Sequence, residues 1–179
     1  MSESATMTRQ ALLELHVALD ALRREMPTGE PRAVDHRFNY ALAKTRRLIA
    51  DEVEAIQEAI APLPAFVEYE RARVALCEQY AEKDHVGRPA TDTRSGQTVF
   101  RMAPETKDEF DRAIEDLRAQ HQEAIAAEEE RVRTLVADKF MQEQIAVPIH
   151  RVTDPSCVPA LPPAIYDAIF PLLDEEAPQ

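Results

Sequence analysis

The chain has 179 residues and a formal net charge of −12, from 33 acidic against 21 basic side chains. That length suits one domain with its own core, and the acidic balance excludes gripping nucleic acid or anionic lipid by bulk charge. Three glycines and no tryptophan leave little material for glycine-rich phosphate loops or a turn-dense β fold, whereas abundant Ala, Glu and Arg favour long helices.

The first predicted element is a helix over residues 8–26. Leu12, Leu15, Leu19, Leu22 and Met26 recur at alternating spacings of 3 and 4, which puts them on one stripe. Thr8 is placed to cap its start, and Pro27, Gly29 and Pro31 stop it. A second helix follows over 32–61, with Val34, Phe38, Leu42, Thr45, Ile49, Val53, Ile56 and Ile60 on its apolar face. Its opposite face carries near-neighbour charges such as Arg46, Arg47, Asp51, Glu54 and Glu58. Pro62 and Pro64 kink or break the rod. The helix resumes over 65–84 with Phe66, Tyr69, Val74, Leu76, Cys77 and Tyr80 inward, so a long helical stretch, broken or kinked at these prolines, is expected over 32–84, ended by Gly87.

Over 87–103 the period changes. Val99 and Phe100 are strand formers, residues 91–96 read as a turn, and a short β-hairpin with Gly96 in its loop is expected. A second long helix is predicted over 104–140, opened by Pro104 with Glu105 and Asp108 at its positive end. Phe110, Ile114, Leu117, His121, Ile125, Glu128, Val132 and Leu135 form its stripe. From Val147 onward the chain holds seven of its 13 prolines and reads as extended backbone with a short helix near residues 164–170.

The expected fold is therefore mainly α. It is an elongated, antiparallel, coiled-coil-like helical hairpin, residues 32–84 against 104–140, with a small β-hairpin at one end and a Pro-rich extended C-terminal tail. A helical domain over 1–146 and a docking tail over 147–179 are the expected divisions.

Chemistry is sparse. Cys77 and Cys157 have no partner cysteine or histidine at zinc spacing, and the five histidines show no metal-binding motif. Glu82 and His85 have the Glu-x-x-His spacing of di-iron bundles, but those sites need a second such pair. No G-x-S-x-G occurs, and no residue is assigned a catalytic, metal-ligating or cofactor-binding role. His121, in the middle of an apolar stripe, is expected to bond a neighbouring carboxylate. Arg23, Arg24, Arg46, Arg47, Arg71 and Arg73 are each near acidic residues and are expected in ion pairs rather than on nucleic acid. The first residues lack a basic and apolar leader, and no run reaches the ~20 apolar residues that cross a bilayer, so neither secretion nor membrane insertion is expected.

What remains is interaction. Two helices alone cannot bury such long stripes, so self-association or a protein partner is expected. The candidate contact residues are Phe110, Ile114, Leu117, His121 and Ile125 on the helix, Val99 and Phe100 on the hairpin, and Ile165, Tyr166 and Phe170 in the tail. The acidic run Glu128, Glu129 and Glu130 adds an alternative, a carboxylate surface that imitates nucleic-acid phosphates and blocks a nucleic-acid enzyme.

Several stretches also carry a likeness: residues 38–44 (FNYALAK), 69–73 (YERAR), 78–89 (EQYAEKDHVGRP) and 161–169 (LPPAIYDAI). In this order, over roughly residues 34–173, the chain resembles a family of small uncharacterised bacteriophage and prophage proteins encoded near virion morphogenesis genes. It departs from them in an extra N-terminal helix over 8–26. The resemblance implies a phage setting: a non-enzymatic assembly or interaction protein, or an inhibitor of a host defence or nucleic-acid enzyme. It also implies the cytoplasm of an infected bacterium or the virion as location, and a phage structural protein or host enzyme as partner. It carries over no catalytic residue.

Overall fold

A computed structural model describes residues 3–25, 36–94 and 97–173. Met26, Val34 and Gly96, and with them the expected helix ends at 26 and 32 and the hairpin turn, lie outside the described residues. In chain order the elements are β1 (Glu3–Thr8), α1 (Arg9–Glu25), α2 (His36–Ile60), α3 (Pro64–Tyr80), β2 (Thr91–Arg94) and β3 (Gln97–Phe100). There follow α4 (Lys107–Gln120), α5 (Gln122–Ala137), β4 (Gln144–Ile149) and α6 (Pro163–Ile169). The described chain is mainly helical, with two small antiparallel sheets, β1–β4 and β2–β3. It divides into two compact units: Met1–Ala61 with Leu135–Gln179, and Pro62–Thr134.

In the first unit the leucine stripe of α1 is buried as expected, with Leu12 and Leu15 fully enclosed. Thr8 Oγ1 accepts the Ala11 N–H at 3.1 Å, an N-cap that satisfies one of the helix's orphan donors. The face of α2 formed by Phe38, Leu42, Thr45, Ile49, Val53 and Ile56 is buried against α1 and β4. β1 was not expected. It pairs with β4 in the register Glu3↔Ile149 to Thr8↔Gln144, and of its side chains Met7 is buried.

The chain from 147 onward is not a separate tail. Val147, Ile149, Val152, Cys157, Ile169, Leu172 and Leu173 all belong to this unit's core, and a boundary between 146 and 147 would cut β4. The prolines hold the segment extended, but its apolar side chains fall where α1 and α2 leave room.

The second unit is an antiparallel pair, α3 against α4, closed by the expected hairpin, whose strands pair Thr91↔Phe100 to Arg94↔Gln97. Two expectations need correction. The 32–84 stretch is two helices and not one, with a break the outcome at Pro62 and Pro64: α2 ends at Ile60, and α3 begins at Pro64, whose ring suits a first helical turn. It then stops at Tyr80, because Ala81 turns extended (φ −65°, ψ 146°) and the following residues bond to the hairpin side, Glu82 N–H to Arg101 O and Ala90 N–H to Glu82 O. Gly87 does not end a helix. It has φ +82° in a tight turn where Asp84 Oδ1 accepts the Val86 and Arg88 N–H groups, both at 2.8 Å.

The 104–140 rod is likewise interrupted. Pro104–Thr106 is a 3₁₀ turn, His121 (φ −108°, ψ 17°) separates α4 from α5, and Lys139 at φ 51° marks the left-handed exit beyond Ala137. Val74, expected inward, is exposed.

Candidate functional site

Two places collect side chains that could act, one in each unit. In the second unit the ring pairs fix how α3 meets α4: Tyr80 lies 5.9 Å from Phe110 and Tyr69 lies 5.8 Å from His121, centroid to centroid. Between these pairs runs a groove of about 440 Å³, lined from both helices by residues including Ala72, Leu76, Ala113 and Leu117. No residue of α4 is buried. Its stripe of Phe110, Ile114 and Leu117, with His121 just beyond its end, is half-buried beside α3, and Ile125 on α5 is half-buried too. His121 meets the Tyr69 ring where a carboxylate partner was expected.

The buried residue of α5 is acidic. Glu128 is 6% exposed, accepts the Leu63 N–H at 3.0 Å, and takes two bonds from Arg131, at 2.9 and 2.6 Å. The Arg131 bonds, then the Leu63 N–H, hold its carboxyl below the usual range. It acts as an anchor for the chain just ahead of α3. Glu130 in turn bonds Arg133. The acidic run is therefore not a row of three free outward carboxylates.

The other expected contact residues are dispersed. Val99 on β3 is exposed opposite Asp92, and Phe100 is half-buried opposite Thr91. In the first unit Ile165 packs onto the core, while Tyr166 and Phe170 are exposed with ring centroids 6.4 Å apart. Phe110, Leu117 and His121 thus share one seam, and Ile165, Tyr166 and Phe170 belong to the other unit.

The first unit also has a cleft of about 300 Å³ between the start of α2 and the segment 150–157, lined by His36, Arg37, Tyr40, His150, Arg151 and Asp154 among others. Sequence reasoning did not assemble this group, because its two histidines come from opposite ends of the chain and share no motif spacing. Tyr40 meets His150 edge to face, 5.5 Å between centroids at 88°. Thr45 Oγ1 accepts the His150 N–H at 2.9 Å and donates to its carbonyl at 3.1 Å, which pins the strand exit to α2. Burial, then the nearby Lys44 charge, pushes the His150 imidazole below its ordinary value.

The charges around this cleft are matched locally, Arg37 to Asp154 at 3.5 Å and Arg151 to Glu3 at 2.7 Å. Asp154 is held below the usual carboxylate range by the Ser156 hydroxyl and N–H, at 2.6 and 3.0 Å, and by Arg37. This group builds a turn and two ion pairs.

Cys77 and Cys157 are buried thiols, one in each unit. Glu82 and His85 both lie beyond the end of α3, so the helical Glu-x-x-His geometry is not formed. Among the described residues no group of three or more His, Cys, Asp or Glu side chains could hold a metal, and no helix is long and apolar enough to cross a membrane. Compared with family models, curated proteins and solved structures, the chain matches none.

Proposed function

We propose that the chain works through protein–protein contact rather than catalysis, as an interaction or assembly protein that associates with itself. The observation that carries this reading is the open seam of the second unit, where α4 presents an amphipathic stripe and buries no residue of its own. An apolar strip left half in water is the usual mark of a surface that a partner completes. In that associated state the antiparallel pair would pack as a coiled-coil-like bundle, with knobs from one hairpin filling holes in another. The exposed Tyr166 and Phe170 give the C-terminal region a second apolar spot for a protein partner.

The phage setting, and with it the infected cytoplasm or the virion as location, rests on the likeness of residues 38–44, 69–73, 78–89 and 161–169 to phage and prophage proteins. The alternative, an acidic inhibitor of a host enzyme, draws on the net charge of −12. It is the weaker reading, because Glu128 and Glu130 spend their carboxylates on arginines of their own helix.

Light scattering coupled to size exclusion, run from low to high micromolar concentration, tests the self-association. A concentration-dependent rise in mass supports it, and a strict monomer throughout counts against it. Retrieval of virion proteins rather than a nucleic-acid enzyme by the tagged chain, with nuclease present, separates assembly from inhibition.

A further inference from the structure

One edge of the β1–β4 sheet is open, and we infer that β1 of a second copy pairs with it, antiparallel, about a two-fold axis at Thr6. The contact belongs to the first unit and not to the α4 seam, but it rests on the same reading of a self-associating protein.

The ladder fixes which backbone groups face outward. Arg9 N–H bonds Glu143 O at 3.2 Å, one step beyond the pair Thr8↔Gln144. Backbone groups alternate sides along a strand, so Glu3, Ala5 and Met7 turn theirs toward β4 while Ser4, Thr6 and Thr8 turn theirs away. His150 agrees with this assignment: on the far side of β4, its N–H and its carbonyl both bond Thr45 Oγ1. Pro148 sits on that far side too, where β1 asks for no donor.

The two edges are therefore unlike. The outer edge of β4 lacks an N–H at Pro148 and is closed at His150 by Thr45 of α2. The outer edge of β1 carries no proline, no lysine and no bulge, the usual guards against strand addition. Ser4 and Thr6 are exposed, and among the described residues no hydrogen bond reaches their outward N–H and carbonyl groups.

A second copy of the strand matches this edge in register and in charge. Centred on Thr6, each Thr6 N–H meets the other Thr6 carbonyl, and each Thr8 N–H meets the other Ser4 carbonyl. The Thr8 carbonyl, at the N-cap, stays with α1. Across the pair Thr6 faces Thr6, Ser4 faces Thr8, and the small Ala5 faces Met7. Glu3, the one charge of β1, comes opposite Arg9 of the second copy, so two chains of −12 each meet without opposing like charges. A register two residues off in either direction sets Met7 against Met7 or against Glu3. The sheet then runs β4–β1–β1–β4 and ends on both sides in the blocked edge of β4, so pairing stops at two copies. A contact of one short strand from each copy falls in the small, reversible class, with a dissociation constant of about 10–100 µM.

The test is sedimentation equilibrium of the full chain to about 500 µM, with circular dichroism to verify the fold of each variant. Thr6→Lys sets two ammonium groups against each other at the axis and should weaken the dimer by more than about tenfold. Thr6→Cys reads the register directly. Directly opposed Cα atoms there lie about 5.5 Å apart, within disulfide reach, so mild oxidation with oxidised glutathione should link the dimer. Ser4→Cys, with its two Cα atoms roughly 14 Å apart, should not link, and the native Cys77 and Cys157 are buried.

A dimer that ignores Thr6→Lys overturns the edge pairing and leaves self-association in place. Linking of Ser4→Cys as readily as Thr6→Cys overturns the two-fold at Thr6. A wild-type chain that stays monomeric to about 500 µM overturns both the pairing and the self-association, and leaves the edge to a strand from a different protein.

Discussion

The two units start from the same kind of pattern and end differently. α1 and α2 carry apolar stripes at 3–4 spacing, and so does α4. In the first unit those stripes are closed over: Leu12, Leu15, Phe38 and Ile49 are fully enclosed because β4 and α6 add further apolar side chains, Ile149 and Ile169 among them. In the second unit the helices have mainly each other, and the buried residues among those described are Tyr69, Cys77, Ala81 and Glu128. Valines 67, 74, 99 and 132 stay exposed there. An amphipathic stripe is wider than the line along which two helices touch, so a third element is needed to hide it. The contrast teaches that periodicity states which residues want cover and does not state whether the fold supplies it.

The sharpest way to break this comparison is truncation on each side of it. Phe38→Ala should cost about 3–5 kcal/mol, as full burial of a large ring implies, whereas Leu117→Ala on the half-open seam should cost about 1 kcal/mol. Urea titration at dilute, dissociated concentration measures both. Equal costs would mean that the seam is as closed as the core.

Next in size is Thr45→Val. It removes the hydroxyl that serves both the N–H and the carbonyl of His150, and should cost about 1–3 kcal/mol with helix content retained. Native-state hydrogen exchange sharpens the comparison without mutation. Amides of α4 should exchange faster than those of α2, since their helix opens with fewer buried side chains to lose.

The smallest effects are in pH, and they separate the units by range. His150 is held below its ordinary value of 6.5, so the unfolded chain binds a proton there more readily than the folded one. Its contribution is full above about pH 6.5 and is lost as pH falls through the folded value. His150→Gln should flatten that slope in thermal melts. Glu128 is held below its usual 4.5, so its anchor on Leu63 persists above that pH and fails only in stronger acid. Melts of Glu128→Gln should lack this acid-range decline, and a slope unchanged in the variant would show that the ionised carboxylate's bonds to Arg131 and Leu63 add no stability.

How far the sequence could be read follows the same division. The faces of α1 and α2 were legible residue by residue, because leucines, Phe38 and isoleucines at helical spacing admit one arrangement. The break at Pro62 and Pro64 and the hairpin around Val99 were legible from ring chemistry and turn residues. β1 was not. Residues 3–8 have one buried side chain, Met7, and their partner lies at the other end of the chain, where no local pattern points. The same distance hid the cleft, since His36 and His150 meet through the α2–β4 packing. The stretch 78–89, so distinctive in sequence, is accounted for by backbone geometry: a helix end, a turn held by Asp84, and Gly87 at positive φ. Val74 was misread because Phe66, Tyr69, Leu76, Cys77 and Tyr80 fall within about 100° of the helix circumference and Val74 lies about 60° outside that arc.

The pairing of β1 with β4 has a consequence for how the protein is made. Residues 3–8 leave the ribosome well before their hydrogen-bond partners, residues 144–149. The first unit cannot close until residue 149 is synthesised, roughly 7–30 seconds later at about 5–20 residues per second. The second unit, Pro62–Thr134, is contiguous and can assemble while that wait continues. During it, the leucines of α1 and the isoleucines of α2 have lost no surface to β4 or α6, so a nascent chain stalled before residue 144 should be a ready client for chaperones.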